Sequence, residues 1–416
     1  MPETAVISQS KHAAFHYRDF RLYQSARFLV VAAAEMQSVA VAWQVYEISH
    51  RPLDLGLVGL VQFLPGLLLF LISGHTVDRF DRRKILMCCY SGFALCSALL
   101  FYLSFHGVKS TFPIYAVLLL LGIVRAFNGP AGQAFLPQLV PSEHFPNAVA
   151  WGATVFQAST ILGPTLGGLI YGVFRGPIAV YIVSFFAFIG ALASALMIEA
   201  RQQPRRPKDI DLRSVLAGLE YIWRKKLILG SISLDLFAVL LGGAVALLPV
   251  YSKEILHTGP WGLGVLRSAP GVGAAIMAIA IAQWPLRRRA GATMFWSVAG
   301  FGAFTILFGL SRNIVLSLIA LFLVGATDTV SVIVRNTLVQ IATPDDMRGR
   351  VSSVNMIFVG ASNELGQFES GITAQWLGAV PAVLIGGLGT LIVVALWAVG
   401  FPDLRKVNQL STTENS

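Results

Sequence analysis

Charged side chains inside long apolar runs are the residues of this chain best suited to chemistry. Such side chains occur at Glu35, Arg125, Asp235, Asp328, Glu364 and Glu369, and Glu35, Arg125, Asp328 and Glu364 are the candidates for proton chemistry. An ionised group in an apolar medium is costly unless it is paired or hydrated. A carboxyl group in such surroundings has a raised pKa, and a nearby arginine lowers it. A carboxylate that meets Arg125 in one conformation and loses it in another would therefore exchange a proton. A permanent structural pairing of Arg125 with Glu35 or Asp328 is the alternative.

The elements that carry these residues are long, uncharged stretches. Charged residues make up 12% of the 416 residues, apolar residues 55%, and the mean hydropathy is +0.69. Runs of about 20 apolar residues match the hydrocarbon thickness of a bilayer when they are helical. The sequence thus predicts an all-α membrane protein with twelve transmembrane helices. They are expected near 25–48, 54–76, 85–105, 113–135, 147–171, 177–198, 228–250, 262–285, 292–311, 313–334, 351–376 and 380–401.

The basic residues predict the orientation of these helices. The net charge of +10 is not gathered into one patch, as a nucleic-acid-binding surface would require; it falls in short clusters between the apolar segments. Most Lys and Arg residues lie on one side if both termini are cytoplasmic, including Arg27, the bases at 79–84 and 287–289, and Arg335. We therefore expect a multi-pass protein of the cell (plasma or inner) membrane, with both termini in the cytoplasm and no nucleic-acid partner.

The chain divides into two similar halves. At an offset of 205 residues, Pro65-Gly66 falls on Pro270-Gly271, and at an offset of 203 residues Gly163 falls on Gly366. Ordered matches of this kind indicate an internal repeat, as in many secondary transporters. The predicted organisation is a six-helix bundle over 1–198, a polar cytoplasmic linker over 199–227, a second bundle over 228–402 and a tail over 403–416. The second part of the linker is predicted to form a surface helix with an apolar side made by Leu212, Leu216, Leu219 and Ile222.

The stretch GHTVDRFDRRK, residues 74–84, concentrates charge between two apolar segments. A positive cluster that merely fixes membrane orientation is one interpretation. The ordered spacing of Gly74, Asp78, Arg79, Arg82 and Arg83 resembles the loop 2–3 signature of the major facilitator superfamily. Two further stretches resemble motifs of that superfamily: Leu121–Gly129, with Arg125 and Gly129 as its R-x-x-x-G pattern, and Gly163–Gly168, with the G-P-x-x-G-G core of its antiporter motif. Residues 343–353 resemble a segment common in the branch that contains the enterobactin exporter and macrolide-efflux proteins.

The resemblance implies a fold and a set of roles. It implies two pseudo-symmetric six-helix bundles around a midplane cavity lined by helices 1, 4, 7 and 10, and proton coupling that involves Arg125. It assigns gating to the first motif, comprising Gly74, Asp78, Arg79, Arg82 and Arg83. The second half departs from this pattern, since Gln283-Trp284-Pro285 occupy the places of Asp78-Arg79-Phe80. Hinge or packing roles fall to Gly163, Pro164, Gly167 and Gly168, where close packing between the halves would allow rocking; plain helix packing is the alternative.

The expected activity is transport. Four aromatic residues are candidates for contact with substrate in the cavity, although most membrane aromatics only pack: Trp43, Phe63, Phe127 and Phe156. The sequence has no P-loop pattern for ATP and no ligand spacing for a metal. We expect a cofactor-free, monomeric secondary transporter, not an enzyme, whose partners are protons, a small-molecule substrate and the bilayer. Proton-coupled export of a siderophore-like or amphiphilic drug-like compound is the first hypothesis. Import of a small organic solute, or a transport-inactive sensor or scaffold, are the alternatives.

Overall fold

The structure, a computed structural model, describes residues 12–199, 212–284 and 289–407. Within these ranges every regular element is helical, which confirms the predicted all-α class. Several predicted features lie outside the described residues: part of the linker (200–211), the end of the tail (408–416), Pro285, and the bases Arg287 and Arg288.

Fourteen helices of ten residues or more occur in the described ranges. They are α1 (Arg18–Ser49), α2 (Pro52–Leu68), α3 (Phe70–Arg79), α4 (Arg82–Phe105), α5 (Phe112–Phe135), α6 (Phe145–Phe174), α7 (Ile178–Leu196), α8 (Leu212–Arg224), α9 (Lys226–Leu241), α10 (Gly259–Gln283), α11 (Ala290–Leu310), α12 (Ile314–Ala342), α13 (Asp345–Leu377) and α14 (Ala379–Gly400).

Ten spans in the described ranges are long and apolar enough to cross a membrane, and α2 with α3 would make an eleventh. These two helices differ in direction by 54°. Pro65 and Gly66, both poor helix formers, stand within one turn of the break at Leu69. The remaining predicted segment, 351–376, lies in α13, which carries several charged residues. The count of twelve membrane-spanning helices therefore stays a prediction.

The segment expected over 228–250 is also interrupted. Helix α9 ends at Leu241, and Gly242 and Gly243 precede a 3-10 turn over Ala244–Leu247. A Cβ atom on Gly243 would lie 2.5 Å from the carbonyl oxygen of Gly366 on α13. Only glycine allows this close approach of two backbones, so the break leaves α9 packed directly on α13.

The described chain forms two compact units. The first contains residues 1–48 and 64–210, and the second contains residues 49–63 and 211–416. The first half of α2 is thus grouped with the second unit, where the Cα of Gly56 lies next to the backbone of Gly371 on α13. The bundle and linker boundaries predicted from the sequence stay predictions.

The two units repeat the same side-chain contact. In the first, the hydroxyl of Ser184 on α7 donates to the carbonyl oxygen of Ala33 on α1, at 3.3 Å. In the second, the hydroxyl of Thr390 on α14 donates to the carbonyl oxygen of Ala238 on α9, at 3.0 Å. Ala33 and Ala238 are separated by the offset of 205 found in the sequence. Helices α1 and α7 of the first unit are therefore joined in the same way as helices α9 and α14 of the second.

The linker helix predicted from the sequence is α8. Its Ile222 is fully buried in an apolar cluster with Val339, Val351 and Val354, while Leu216 on the expected apolar side is 54% exposed. Helix α8 is consequently held on the second unit at its C-terminal half.

Candidate functional site

Two arginines of the charged loop hold helix ends in the first unit. The Nη1 atom of Arg82 donates to the carbonyl oxygen of Ala134 near the end of α5, at 3.3 Å. Arg83 donates from Nε to Ala195 (3.0 Å) and from Nη2 to Leu196 (2.6 Å), at the end of α7. The last carbonyls of a helix lack partners in the helix and carry partial negative charge, so cations stabilise them. We call this pair of residues the helix-end clamp.

The other predicted gate residues lie on α3. Gly74 is in its middle, and Asp78 and Arg79 are in its last turn. Among the described residues Asp78 has no ion pair or side-chain hydrogen bond, whereas Asp81 caps α4 by accepting from the backbone N–H of Arg83, at 2.9 Å. In this conformation the clamp acts on helix ends and not on an acidic side chain.

Replacing Arg83 with alanine should lower the free energy of unfolding by about 1–2 kcal/mol, since two charge-assisted hydrogen bonds are lost and one of them is exposed to solvent. Thermal unfolding of the detergent-purified protein measures this loss. The matched control is Lys84→Ala, because Lys84 is an exposed neighbour on the same helix. Equal melting temperatures for the two variants would contradict the clamp.

The glycines of the predicted antiporter motif pack inside the first unit. A Cβ atom on Gly163 would lie 2.6 Å from the Cβ of Glu35 on α1, and one on Gly167 would lie 2.7 Å from the carbonyl oxygen of Met36. In the second unit, the sequence partner Gly366 approaches the carbonyl oxygens of Val239 and Leu240 on α9 in the same manner. Both glycines approach α1 of their own unit, as the alternative of plain helix packing predicts, and a role of Gly163 and Gly167 between the halves stays a prediction.

Gly167→Ala is expected to destabilise the protein by about 1–3 kcal/mol, because the new methyl group meets backbone atoms of α1 that cannot move aside without shifting the helix. The measurement is the melting temperature in detergent. Gly176→Ala serves as its control, since a Cβ at Gly176 meets nothing within 4 Å. A tolerated Gly167→Ala would show that α1 and α6 are not in close contact.

Arg125 and Glu35 are not joined in this conformation. Arg125 is exposed on α5 and has no salt bridge among the described residues. Its guanidinium group is within electrostatic reach of the Cys96 thiol on α4. Glu35 is half-buried on α1, against Gly163. A pairing of Arg125 with Glu35 remains a prediction for another conformation.

A buried ion pair lies in the second unit. Asp235 on α9 accepts a hydrogen bond from Nη1 of Arg335 on α12, and the side chains are 6% and 3% exposed. The sequence-based topology placed Arg335 on the cytoplasmic side, just beyond the predicted segment 313–334, and that side stays a prediction; in the structure α12 continues to Ala342 and buries Arg335. One signal was available in the sequence: Arg335 follows Asp328 by two helical turns, so both lie on the same side of α12.

Asp328 lines a cavity of about 210 Å³ within the second unit. It is within electrostatic reach of both Asp235 and Arg335. The polar side chains of Asn363 and Gln367 on α13 line the same cavity, and the broken end of α9 lines it at Gly242, Gly243 and Ala244. A carboxyl group here has a polar neighbourhood, a nearby cation and an open space.

Glu364 lies on α13 of the same unit but does not line this cavity. It accepts a hydrogen bond from the Nε2 atom of Gln367 (3.2 Å) and faces Gly59 of α2, where a Cβ atom would lie 2.6 Å from its Oε2 atom. Glu364 is thus connected through Gln367 to the cavity that Asp328 lines.

One of the four aromatic candidates lines a described cavity. Phe156 on α6 is 46% exposed and lines a cavity of about 530 Å³ in the first unit. Trp43 does not: it is 4% exposed and donates from Nε1 to Glu47, at 2.7 Å. Phe127 on α5 and Phe63 on α2 are half-buried outside the lining of both cavities.

Arg27 lies in this larger cavity. The sequence placed it among the bases that set the membrane orientation, on the cytoplasmic side of the first span. In the structure it is half-buried in the third turn of α1, and its place on the cytoplasmic side stays a prediction.

No group of three or more His, Cys, Asp or Glu side chains suited to a metal ion occurs in the described ranges. The three cysteines are free thiols on α4.

Comparisons with known proteins agree with this architecture. The family described as transmembrane secretion effector matches residues 9–415. The enterobactin exporter EntS of Shigella boydii serotype 4 is 27% identical over 400 residues, which cover 94% of this chain and 93% of the exporter. The enterobactin exporter of Escherichia coli O81 matches with the same identity and coverage. A bacterial homologue of the lysosomal transporter Spinster, solved in an inward-facing and occupied conformation, has a TM-score of 0.72 at 12% identity and covers 94% of this chain and 99% of its own.

These matches confirm the predicted class of protein. Relatives that cover nearly the whole chain are transporters and not enzymes, and the described helices supply ten or more apolar spans. The protein is a multi-pass transporter of the cell membrane. The chain belongs to the transmembrane secretion effector family, within the major facilitator superfamily.

Proposed function

We propose that the protein exports a siderophore-like or amphiphilic drug-like small molecule by alternating access, driven by inward proton flow. The observation that carries this proposal is the 27% identity to enterobactin exporters across 94% of the chain. A relationship that extends over both units favours export over import.

Asp328 is our candidate for the proton-carrying group. It lines a cavity of about 210 Å³ and is within electrostatic reach of the charges of Asp235 and Arg335. A movement of α12 relative to α9 would change its distance from both charges. The carboxyl group would then bind a proton in one conformation and release it in the other. Arg125, Glu35 and Glu364 are secondary candidates for the same coupling.

The motif at 74–84 is our candidate for the gate. Gly74, Asp78, Arg79, Arg82 and Arg83 would hold the cytoplasmic ends of the first unit together in one state and release them in the other. The helix-end clamp supports this role, because Arg82 and Arg83 join the start of α4 to the ends of α5 and α7. We further propose that the protein acts as a monomer with both termini in the cytoplasm and with residues 199–227 as the linker.

Inside-out membrane vesicles test the proposal. Vesicles from cells that express the protein and lack their own enterobactin exporter are given radiolabelled enterobactin and a respiratory substrate that acidifies the lumen. We expect accumulation in the lumen that collapses when nigericin removes the pH gradient. Accumulation only in right-side-out vesicles would indicate an importer. No transport in either orientation, together with an unaltered phenotype for Arg125→Ala, would indicate a sensor or scaffold.

A further inference from the structure

The 530 Å³ cavity of the first unit is lined mainly by apolar residues and by one charged side chain. It is formed by α1, α4, α5 and α6, and most of its lining is apolar or aromatic. Its volume falls in the range of about 300–1,000 Å³ that is usual for small-molecule sites. Arg27 is the one charged side chain among the described residues that line it. The cavity therefore combines an apolar interior with a single positive charge.

The charge on Arg27 is not neutralised by the protein. Among the described residues Arg27 forms no salt bridge and no side-chain hydrogen bond, and no acidic side chain lines the cavity. Its guanidinium carbon lies 5.9 Å from the ring centroid of Phe156, a cation–π distance. A half-buried cation without an acidic partner favours the binding of an anion, because no group of the protein compensates the cost of desolvating the cation.

Two polar side chains near this cation have atoms that lack hydrogen-bond partners. Gln24 lies one helical turn before Arg27 on α1 and outside the cavity lining; it is 3% exposed, and neither its Oε1 nor its Nε2 atom has a hydrogen-bond partner. The Oδ1 atom of Asn128, which lines the cavity, is also buried without a partner. Buried polar atoms are nearly always hydrogen-bonded, so each exception in a cavity points to a missing ligand or water. The acceptor on Asn128 suits a hydroxyl group of such a ligand.

The aromatic walls complete the site. Tyr23 and Tyr90 are 4% and 3% exposed, and both line the cavity. The hydroxyl of Tyr23 is already committed to the carbonyl oxygen of Gly132, at 2.9 Å, whereas that of Tyr90 donates to no described group. Phe156 offers a ring face beside the guanidinium. A planar ring can stack here while its anionic group meets Arg27.

We infer that this cavity binds a hydroxylated aromatic anion, with the anionic group on Arg27, a hydroxyl on Asn128 and the ring against Phe156. The identification of this occupant with part of the transported molecule rests on the proposed function. The binding itself does not depend on the direction of transport or on proton coupling.

Equilibrium binding to the purified full-length protein in detergent tests the inference, with radiolabelled salicylate as the probe. Salicylamide is the neutral comparison, and inorganic phosphate is the anion without a ring. We expect salicylate to bind at least about 10-fold more tightly than salicylamide, as a charge-assisted contact implies. Phosphate at the same concentration should not displace it.

Arg27→Gln should weaken salicylate binding by about 10-fold or more and leave salicylamide binding little changed. The matched control is Arg18→Gln, since Arg18 lies on the same helix, pairs with Glu199 at 2.7 Å and is outside the cavity. Phe156→Leu should weaken both aromatic ligands, with Phe174→Leu, an exposed residue at the end of the same helix, as its control.

A second variant guards against misfolding of the first. Gly152 on α6 faces Arg27, and a Cβ atom there would lie 2.7 Å from its Nη1 atom. Gly152→Ala keeps the helix and displaces only the flexible end of Arg27, so the melting temperature should hold while salicylate affinity falls several-fold.

Two results would overturn the inference. One is a salicylate affinity that Arg27→Gln leaves unchanged, and the other is an equal affinity of the unaltered protein for salicylate and salicylamide. Efficient displacement by phosphate would refute the aromatic part and leave a general anion site. These outcomes are independent of the vesicle assay, since binding is measured without a gradient. Salicylate binding together with no accumulation of enterobactin in the vesicles would refute the proposed function and leave this inference standing.

Discussion

Replacing Asp235 with alanine is expected to destabilise the protein by about 3–5 kcal/mol, the cost of leaving one buried charge without its partner. Arg335, 3% exposed, would lose the carboxylate to which its Nη1 atom donates. Its Nε atom already lacks a hydrogen-bond partner, so neither Nε nor Nη1 would then have one among the described residues. The carboxyl group of Asp328 is within electrostatic reach of Arg335 but forms no hydrogen bond with it in the structure.

Thermal unfolding of purified protein in detergent measures this loss, and a drop in melting temperature of about 10 °C or more is expected. The reverse variant, Arg335→Ala, should lose a similar amount because it leaves a buried carboxylate. The double variant Asp235→Leu/Arg335→Met should recover most of the stability, since two apolar side chains of similar size need no partners.

An exposed pair provides the control. Arg348 and Asp345 are 2.6 Å apart at the start of α13, with side chains that are 52% and 88% exposed. Solvent screens such a pair, so Asp345→Ala should change stability by less than about 1 kcal/mol. If Asp235→Ala melted like Asp345→Ala, the pair in the second unit would have to be hydrated and not buried.

The helical architecture could be predicted because a bilayer leaves few choices. A backbone without water must satisfy its own hydrogen bonds, so each uncharged run of about 20 residues becomes a helix. The predicted run 85–105 lies in α4, and 380–401 corresponds closely to α14. The repeat was visible for a similar reason: Gly163 and Gly366 occupy places where two backbones meet, and no larger residue fits either place.

Interruptions of helices were harder to predict. Pro65 stands in α2 close to the break between α2 and α3, but Pro164 and Pro270 stand inside continuous helices, α6 and α10. The break after Leu241 depends on Gly242 and Gly243 together with the neighbouring backbone of α13. Tertiary contacts decide whether a proline or glycine breaks a helix, and a single sequence does not contain them.

The surroundings of two arginines show the same limit. Arg335 follows the predicted segment 313–334 by one residue, and Arg27 lies close to the start of the segment 25–48. Counting bases near the edges of apolar runs assigns both to the cytoplasmic side but does not predict what surrounds them. What buries Arg335 is an acid 100 residues earlier on α9, and what surrounds Arg27 is a cavity built from four helices. Asp328 was identified because an acid inside an apolar run needs no tertiary information to be recognised as costly.

Asp328→Asn should abolish transport driven by a pH gradient while it leaves the fold intact. Asparagine keeps the size and the hydrogen-bonding capacity of the side chain but carries no titratable proton. Asp328 has the like charge of Asp235 and the opposite charge of Arg335 nearby, so removal of its own charge loses one attraction and one repulsion. The melting temperature should therefore change little, in contrast to Asp235→Ala.

Proteoliposomes with radiolabelled enterobactin provide the measurement. We expect accumulation driven by a pH gradient to fall at least about 10-fold, to the level seen without a gradient. Exchange of labelled for unlabelled substrate should persist and lose its dependence on pH, because exchange moves no net proton and the titrating group is gone.

Glu369→Gln is the matched control for this test. Glu369 is a half-buried carboxylate on α13 whose Oε1 atom accepts a hydrogen bond from Thr373, at 2.7 Å, and it does not line the cavity. This variant should keep gradient-driven accumulation. An Asp328→Asn protein that still accumulates substrate with an unchanged pH profile would exclude Asp328 as the coupling group. The same assay on Glu35→Gln and Glu364→Gln would then decide between the remaining carboxylates. The variant that lacks the proton-carrying group must lose both gradient-driven accumulation and the pH dependence of exchange.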